Sequence, residues 1–159
     1  MATPILERHT LPGALGDILV DVRGAAGRAP RPAVVILPGF SGLPERLARA
    51  GFTAVSLDAE TVTPSDLESV IAVLDRSELG VPRPTSIGMA GQGPGGGTAI
   101  LAAAGTPRIA ALVTWAAISS APVEAAAERV RVPWLQLPPA SGLERVLDDT
   151  TGWLIRHLP

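Results

Sequence analysis

The stretch TSIGMAGQGPGGGTAILAAAG, residues 85–105, decides how the rest of the chain folds. Its apolar run, Ile87, Met89 and Ala90, stops at a cluster of glycines, and a helix of small residues follows at once. That order specifies a strand, a very tight turn and a helix over residues 96–104. The turn sets Gln92, Gly93 and Pro94 at the carboxyl end of a buried strand and ahead of a helix N-terminus, where α/β proteins keep their ligands and their chemistry.

Towards the amino terminus, residues 33–37 (AVVIL) form a continuous β-branched run of the kind buried on both faces of a parallel sheet. The run ends at Pro38, Gly39, Phe40, Ser41 and Gly42. Before it, residues 4–10 and 15–23 read as an edge hairpin turning at Pro12-Gly13, and residues 24–32 as a Gly/Ala/Arg/Pro loop. After it, a short helix over residues 44–50 leads through Gly51 into FTAVSLDA, a strand that delivers Asp58 and Glu60 to the same edge. This crossover is barely long enough for a parallel connection. Thr63, Pro64 and Asp66 then supply an N-cap, a first-turn proline and an acidic first turn, and Leu67, Val70, Ile71 and Leu74 make one face of a helix running to about residue 79.

Beyond the central turn, residues 109–118 read as a strand ending in Ser119 and Ser120, residues 123–129 as a weak helix, and residues 131–137 as a last strand closed by Pro138-Pro139. The final helix opens on Ser141-x-x-Glu144, the pattern of a capping box, and carries Leu143, Val146, Leu147, Thr150, Leu154 and Leu158 on one side. Strands alternating with helices imply a mostly parallel sheet covered on both faces, a three-layer αβα domain with an antiparallel N-terminal hairpin. At 159 residues, with 47% hydrophobic content, one domain with one sizeable core is expected.

The net charge of −2 and thirteen scattered arginines argue against nucleic acid as a partner. No apolar run reaches the roughly 20 residues needed to span a bilayer, and MATPILERHT lacks the layout of a signal peptide, so a cytoplasmic protein without a membrane partner is expected. The chain has no Cys, Lys, Tyr or Asn, which removes thiolate and Schiff-base chemistry, the P-loop lysine and any tyrosine acid. Two histidines without ligand spacing argue against a metal site, and no cofactor is expected.

The order of parts resembles the α/β-hydrolase fold, in its dienelactone-hydrolase-like branch, over nearly the whole chain. The strongest segments are AVVILPGF, LARAGFTAVSLD, IGMAGQGPGGGTAILAAA and LDDTTGWLIRHL. The resemblance implies a nucleophile elbow, Gly-x-nucleophile-x-Gly, on Gly91, Gln92, Gly93, Pro94 and Gly95. Two of its working parts differ: Gly93 stands where the family has its nucleophile, and Pro94, which lacks an N–H, stands where the family takes an oxyanion donor. The family's second donor comes from the loop after AVVIL, where Phe40 offers an N–H, but one donor without a nucleophile gives no acyl transfer. The family's acid and histidine loops have no room between VPWLQL and the final helix, and the family's last strand is missing. His157 sits in that helix's last turn, more than roughly 20 Å from the elbow. The intervals that would carry a cap are short, so a shallow pocket is expected.

These departures lead to the expectation of a hydrolase-like chain without serine-hydrolase chemistry, a pseudoenzyme or reduced scaffold. A small ligand would sit at the carboxyl edge beside Gly39, Phe40, Asp58, Gln92, Gly93 and Ser119. An active hydrolase with Asp58 or Ser119 as nucleophile is one alternative. The other is an anion- or nucleotide-binding module, since Gly91, Gly93 and Gly96 meet GxGxxG, although no acidic residue follows at the distance a ribose contact needs. Asp58 and Glu60 also suit helix capping or a solvated edge, and Ser119 and Ser120 a cap before Ala121-Pro122. His9 reads as a surface residue, His157 as a cation near a helix C-terminus, and Trp115, Trp134 and Trp153 as core and edge packing. Loss of the family's last strand would expose the edge of residues 132–137, where Trp134 and Leu135 can pair with a second copy to make a homodimer, with the flanking prolines partly protecting it.

Overall fold

A strand buried on both faces must show apolar side chains at every position, and a chain that alternates such strands with one-sided helices can bury them only in layers. A computed structural model describes residues 4–25 and 29–159. In order come β1 (Pro4–Gly13), β2 (Gly16–Ala25), β3 (Ala33–Ile36), α1 (Leu43–Arg49), β4 (Thr53–Asp58), α2 (Pro64–Asp75), β5 (Ile87–Gln92), α3 (Pro94–Gly105), β6 (Ile109–Trp115), α4 (Ala121–Ala127), β7 (Trp134–Leu137) and α5 (Leu143–His157). The 7-stranded sheet has the order β1-β2-β4-β3-β5-β6-β7. Its β1/β2 and β2/β4 pairs are antiparallel and the rest parallel. The mostly parallel sheet with its antiparallel hairpin is the architecture expected, and it gathers the carboxyl ends of β3 to β7 along one edge.

The two-residue period of the strands divides the core. Ala33, Val35 and Leu37 face one layer with α2, α3 and α4, represented by Leu67, Ile71, Ile100 and Val123. Val34 and Ile36 face the other, against Leu43 and Leu47 of α1 and Val146 and Leu154 of α5. Met89 and Ala90 of β5 fall on opposite sides in the same way. The expected apolar face of α2 is buried throughout, and its start is a full capping box: Thr63 accepts from the Asp66 N–H, and Asp66 accepts from the Thr63 N–H.

Several boundaries differ from the sequence reading. The hairpin turns at Ala14 and Leu15, with Gly16 at φ 134, and Pro12 and Gly13 complete β1 instead. Gly24 and Ala25 continue β2; residues 26–28 of the expected loop and residues 1–3 lie outside the described residues. The α2 helix ends at Asp75, because the chain turns through Ser77 at φ 59 and reaches buried Leu79 outside the helix. The α3 helix begins two residues early, on Pro94, whose fixed φ suits a first helical position. The β6 strand stops at Trp115 because Ala116, at φ 51, leaves extended geometry, and β7 begins only at Trp134, after Pro133.

The expected capping box at Ser141 is not formed. Gly142 is the N-cap of α5 without a side-chain bond, and the Glu144 carboxylate reaches Arg46 of α1 instead, beside Asp148. Leu143, placed on the apolar side by spacing, is 42% exposed. His9 is half-buried rather than a free surface residue, its Nε2 enclosed without a partner. The tryptophans pack as expected: Trp134 donates its indole N–H to Thr114 Oγ1 at 3.0 Å, and Trp153 stacks on His157 with centroids 4.4 Å apart. Among the described residues, no helix is long and apolar enough to cross a membrane.

Candidate functional site

The turn between β5 and α3 sits at the centre of the carboxyl edge. Gly93 holds φ 57 and ψ −123, a conformation that favours glycine and that other residues enter at a cost of about 1–3 kcal/mol. Three backbone bonds of 3.0 Å fix it: its N–H donates to the Trp115 carbonyl, and its carbonyl accepts from the N–H groups of Gly96 and Ile118. The neighbouring glycines answer a different need. A Cβ on Gly91 would lie 2.4 Å from the Gly95 carbonyl oxygen, and one on Gly96 would lie 2.7 Å from Ala117 Cβ. At Gly93 a Cβ would meet nothing within 4 Å. Space therefore demands glycine at positions 91 and 96, whereas at position 93 only the backbone conformation does.

Around this turn the structure brings together part of the expected set. A Cβ built on Gly39, which has φ 96, would lie 3.8 Å from Gln92 Oε1, so the Gln92 side chain lies close to the loop after β3. Phe40 is buried and meets Trp115 at a ring separation of 5.8 Å, and Trp115 is paired with Gln92 across β5 and β6. Gly39, Phe40, Gln92 and Gly93 thus share one corner.

Asp58 and Ser119 reach the same edge but point into other arrangements. Exposed Asp58 adds its charge to the hairpin, where Arg8 donates to both oxygens of Asp21 at 2.7 and 3.0 Å. The bond from Arg8 holds the Asp21 carboxyl below its ordinary pKa, against the effect of burial. The Ser119 hydroxyl donates to Glu124 at 3.1 Å, and the Ser120 hydroxyl caps α4 by accepting from the Val123 N–H. The capping reading of Ser120 holds.

His157 lies at the other end of α5. The Thr85 and Ser86 hydroxyls, just ahead of β5, donate to the Pro159 carbonyl at 3.0 and 2.6 Å. The end of α5 is therefore fastened to the amino edge of the sheet, opposite the Gly93 turn. The His157 Nδ1–H is directed to the Trp153 carbonyl at 2.9 Å.

Two depressions flank the loop after β3. One, of about 280 Å³, lies between Gly39, Phe40 and Ser41 and the Glu45 and Ser56 side. The other, of about 430 Å³, is walled by Leu37, Pro38 and Gly39, by residues 59–62, and by Pro94, Gly95 and Thr98 of the first turn of α3. Glu60, not Asp58, is the carboxylate on its wall. Sequence reasoning placed Pro94 and Gly95 in the elbow but missed Thr98 as a lining residue; its signal was the helix start, which the structure moves forward onto Pro94. Among the described residues no group of three or more His, Asp or Glu side chains can hold a metal ion.

The sheet order, the hairpin and the tight turn after β5 make this the fold of the α/β-hydrolases, of the dienelactone-hydrolase-like kind. The chain superposes on dienelactone hydrolase from Anabaena variabilis with a TM-score of 0.69 and 17% identity, over 98% of this chain and 99% of that one. Est1E from Butyrivibrio proteoclasticus gives 0.67 and 15%, over 94% and 98% of the two chains. A cold-adapted esterase from an Arctic intertidal metagenomic library gives 0.73 and 11%, over 100% and 96%. At these identities the likeness is one of fold. No model of a protein family matches the sequence, and no curated protein does.

Proposed function

We propose that this chain is a hydrolase-fold protein without serine-hydrolase chemistry, and that the cleft beside its Gly93 turn binds a small molecule. The observation that supports the reading is the pair Gly93-Pro94 at the apex of the turn. Acyl transfer at an elbow needs a nucleophilic oxygen on the apex residue and an N–H on the next, aimed at the developing oxyanion. Gly93 has no side chain and Pro94 no N–H, and no rearrangement of side chains supplies those atoms. His157 is also remote, since the end of α5 that bears it is fastened to the opposite edge. Gly39, Pro94, Gly95 and Thr98 line the cleft with Glu60 on its wall, and we assign Phe40, Gln92 and Gly93 to the corner beside it.

Intact-mass spectrometry after incubation with a fluorophosphonate, beside a serine hydrolase that labels, tests this. We expect no adduct. A stoichiometric adduct overturns the reading, and peptide mapping then decides whether Ser119, which is hydrogen-bonded to Glu124, is the nucleophile. A melting-temperature rise with NAD or phosphate in place of neutral ligands would instead favour the anion-binding reading of the Gly91, Gly93 and Gly96 turn. We also propose a cytoplasmic location, on the composition of the sequence, and self-association through the open β7 edge.

A further inference from the structure

We propose that the 430 Å³ cleft between residues 59–62 and the start of α3 selects a small organic cation, an ammonium carried on an apolar body of about one ring. The inference rests on the ligand-binding reading above and names the ligand's chemistry.

The volume lies in the range of small-ligand sites, about 300–1,000 Å³. Leu37, Ala59, Val62 and Pro94 supply apolar wall, which suits a compact hydrocarbon body. Glu60 is the only ionisable side chain on the lining, and among the described residues it enters no ion pair or side-chain hydrogen bond. No arginine or histidine lines the cleft, and the protein has no lysine, so an anion would find no side-chain cation there. Thr98 already donates its hydroxyl proton to the Pro94 carbonyl at 3.3 Å, which leaves its oxygen free to accept.

One feature works the other way. The N-terminus of α3 carries a positive end equivalent to about half a charge. That half charge is smaller than the full charge of the Glu60 carboxylate, and Pro94 removes one of the N–H groups that would have met an anion. The balance on the walls is negative, and the accepting oxygens of Glu60 and Thr98 match the donors of an ammonium group.

Amide NMR shifts of Thr61, Val62, Gly95 and Thr98, titrated with benzylammonium, benzyl alcohol and benzoate, separate the terms. The expected result is saturation of these amides by benzylammonium at about fivefold lower concentration than by benzyl alcohol, the size of an exposed ion pair, with benzoate weakest. Glu60→Gln should abolish the difference between benzylammonium and benzyl alcohol while leaving benzyl alcohol binding as it was. Benzoate binding as tightly as benzylammonium, or a preference that survives Glu60→Gln, overturns the charge selection and leaves the cleft as a binding site. No shift with any of the three overturns the ligand-binding reading together with this one.

Discussion

Ala14 and Asp66, 52 residues apart, are joined by a 2.9 Å hydrogen bond from the Ala14 N–H to Asp66 Oδ1. The other carboxylate oxygen, Oδ2, accepts from the Thr63 N–H at 2.9 Å. One buried side chain therefore both starts α2 and pins the tip of the β1/β2 hairpin to it. Without that tether a two-residue turn of Ala14 and Leu15 has little local reason to form, since neither residue favours one.

Asp66 should make stability depend on pH in the acid range. Burial acts to raise its pKa, but the N–H groups of Thr63 and Ala14 and the Thr63 hydroxyl together outweigh it and leave the carboxyl below its ordinary value. A folded-state pKa below the unfolded one gives stability that is present above the unfolded value and is lost as pH falls through the folded one. Urea midpoints should accordingly drop below about pH 4, and Asp66→Asn should flatten that drop. The same substitution should cost about 1–2 kcal/mol at neutral pH, from a weakened cap and hairpin tether. An unchanged acid slope in Asp66→Asn would assign the dependence to another group.

Substitutions along the β5–α3 turn should differ sharply although each replaces glycine. Gly91→Ala places a Cβ 2.4 Å from a backbone carbonyl oxygen that cannot move without opening the turn, so a loss of more than about 3 kcal/mol is expected. Gly93→Ser meets open space and bears only the backbone strain of φ 57, about 1–3 kcal/mol. Chemical denaturation of the two variants checks the order. Gly93→Ser should also hydrolyse p-nitrophenyl acetate no faster than buffer, because Pro94 still lacks the N–H of an oxyanion hole. Measurable turnover by that variant would show that the missing nucleophile alone separates this chain from an esterase.

Arg108 ties three segments at the amino edge. Its Nε and Nη2 donate to Asp75 at 3.0 Å each, and Nη2 also donates to the Pro84 carbonyl at 2.9 Å. This links the end of α2, the segment ahead of β5 and the start of β6. Arg108→Ala leaves the carboxylate and the carbonyl without these donors, and thermal or urea unfolding should show a loss of about 1–3 kcal/mol. Arg108→Lys should recover only a minor part, since an ammonium cannot reproduce the planar two-nitrogen contact. Full recovery by lysine would mean that charge alone holds the junction.

What the sequence disclosed depended on whether the cause of a feature was local. Thr63, Pro64 and Asp66 spell out the start of α2 within four residues, and in the turn after β5 Gly91 is demanded by Gly95 close in sequence and Gly93 by its backbone angle, whereas Gly96 answers to Ala117 of a distant segment. The cap expected at Ser141 failed because Glu144 is engaged by Arg46, 98 residues away, and the hairpin turn was misplaced because its tether is Asp66. At the edge, residue type suggested Asp58 as the carboxylate of interest. The structure sets Asp58 beside the hairpin's Arg8–Asp21 pair and places Glu60, in the loop beyond, on the cleft wall. Which of two nearby acids meets a cavity depends on strands and loops packed together from distant parts of the chain, which spacing alone does not encode.

The β7 edge gives the last prediction. The Pro133 and Leu137 carbonyls accept from the N–H groups of Leu112 and Ala116 at 2.9 and 3.0 Å, so the odd-numbered residues of β7 face β6. By the alternation of a strand, the backbone groups of Trp134 and Gln136 face away from the sheet. A twofold axis through Leu135 would lay two copies of β7 antiparallel, with Trp134 of one opposite Gln136 of the other and about four new backbone bonds. Pro133 and Pro138 bracket the strand and keep the contact short, so association should be weak. Sedimentation velocity should show a dimer growing in with concentration, and Gln136→Pro, which removes an outward N–H, should restore the monomer while the far-UV circular dichroism stays the same. A wild-type chain that remains monomeric at millimolar concentration would mean that the two prolines are enough to close this edge.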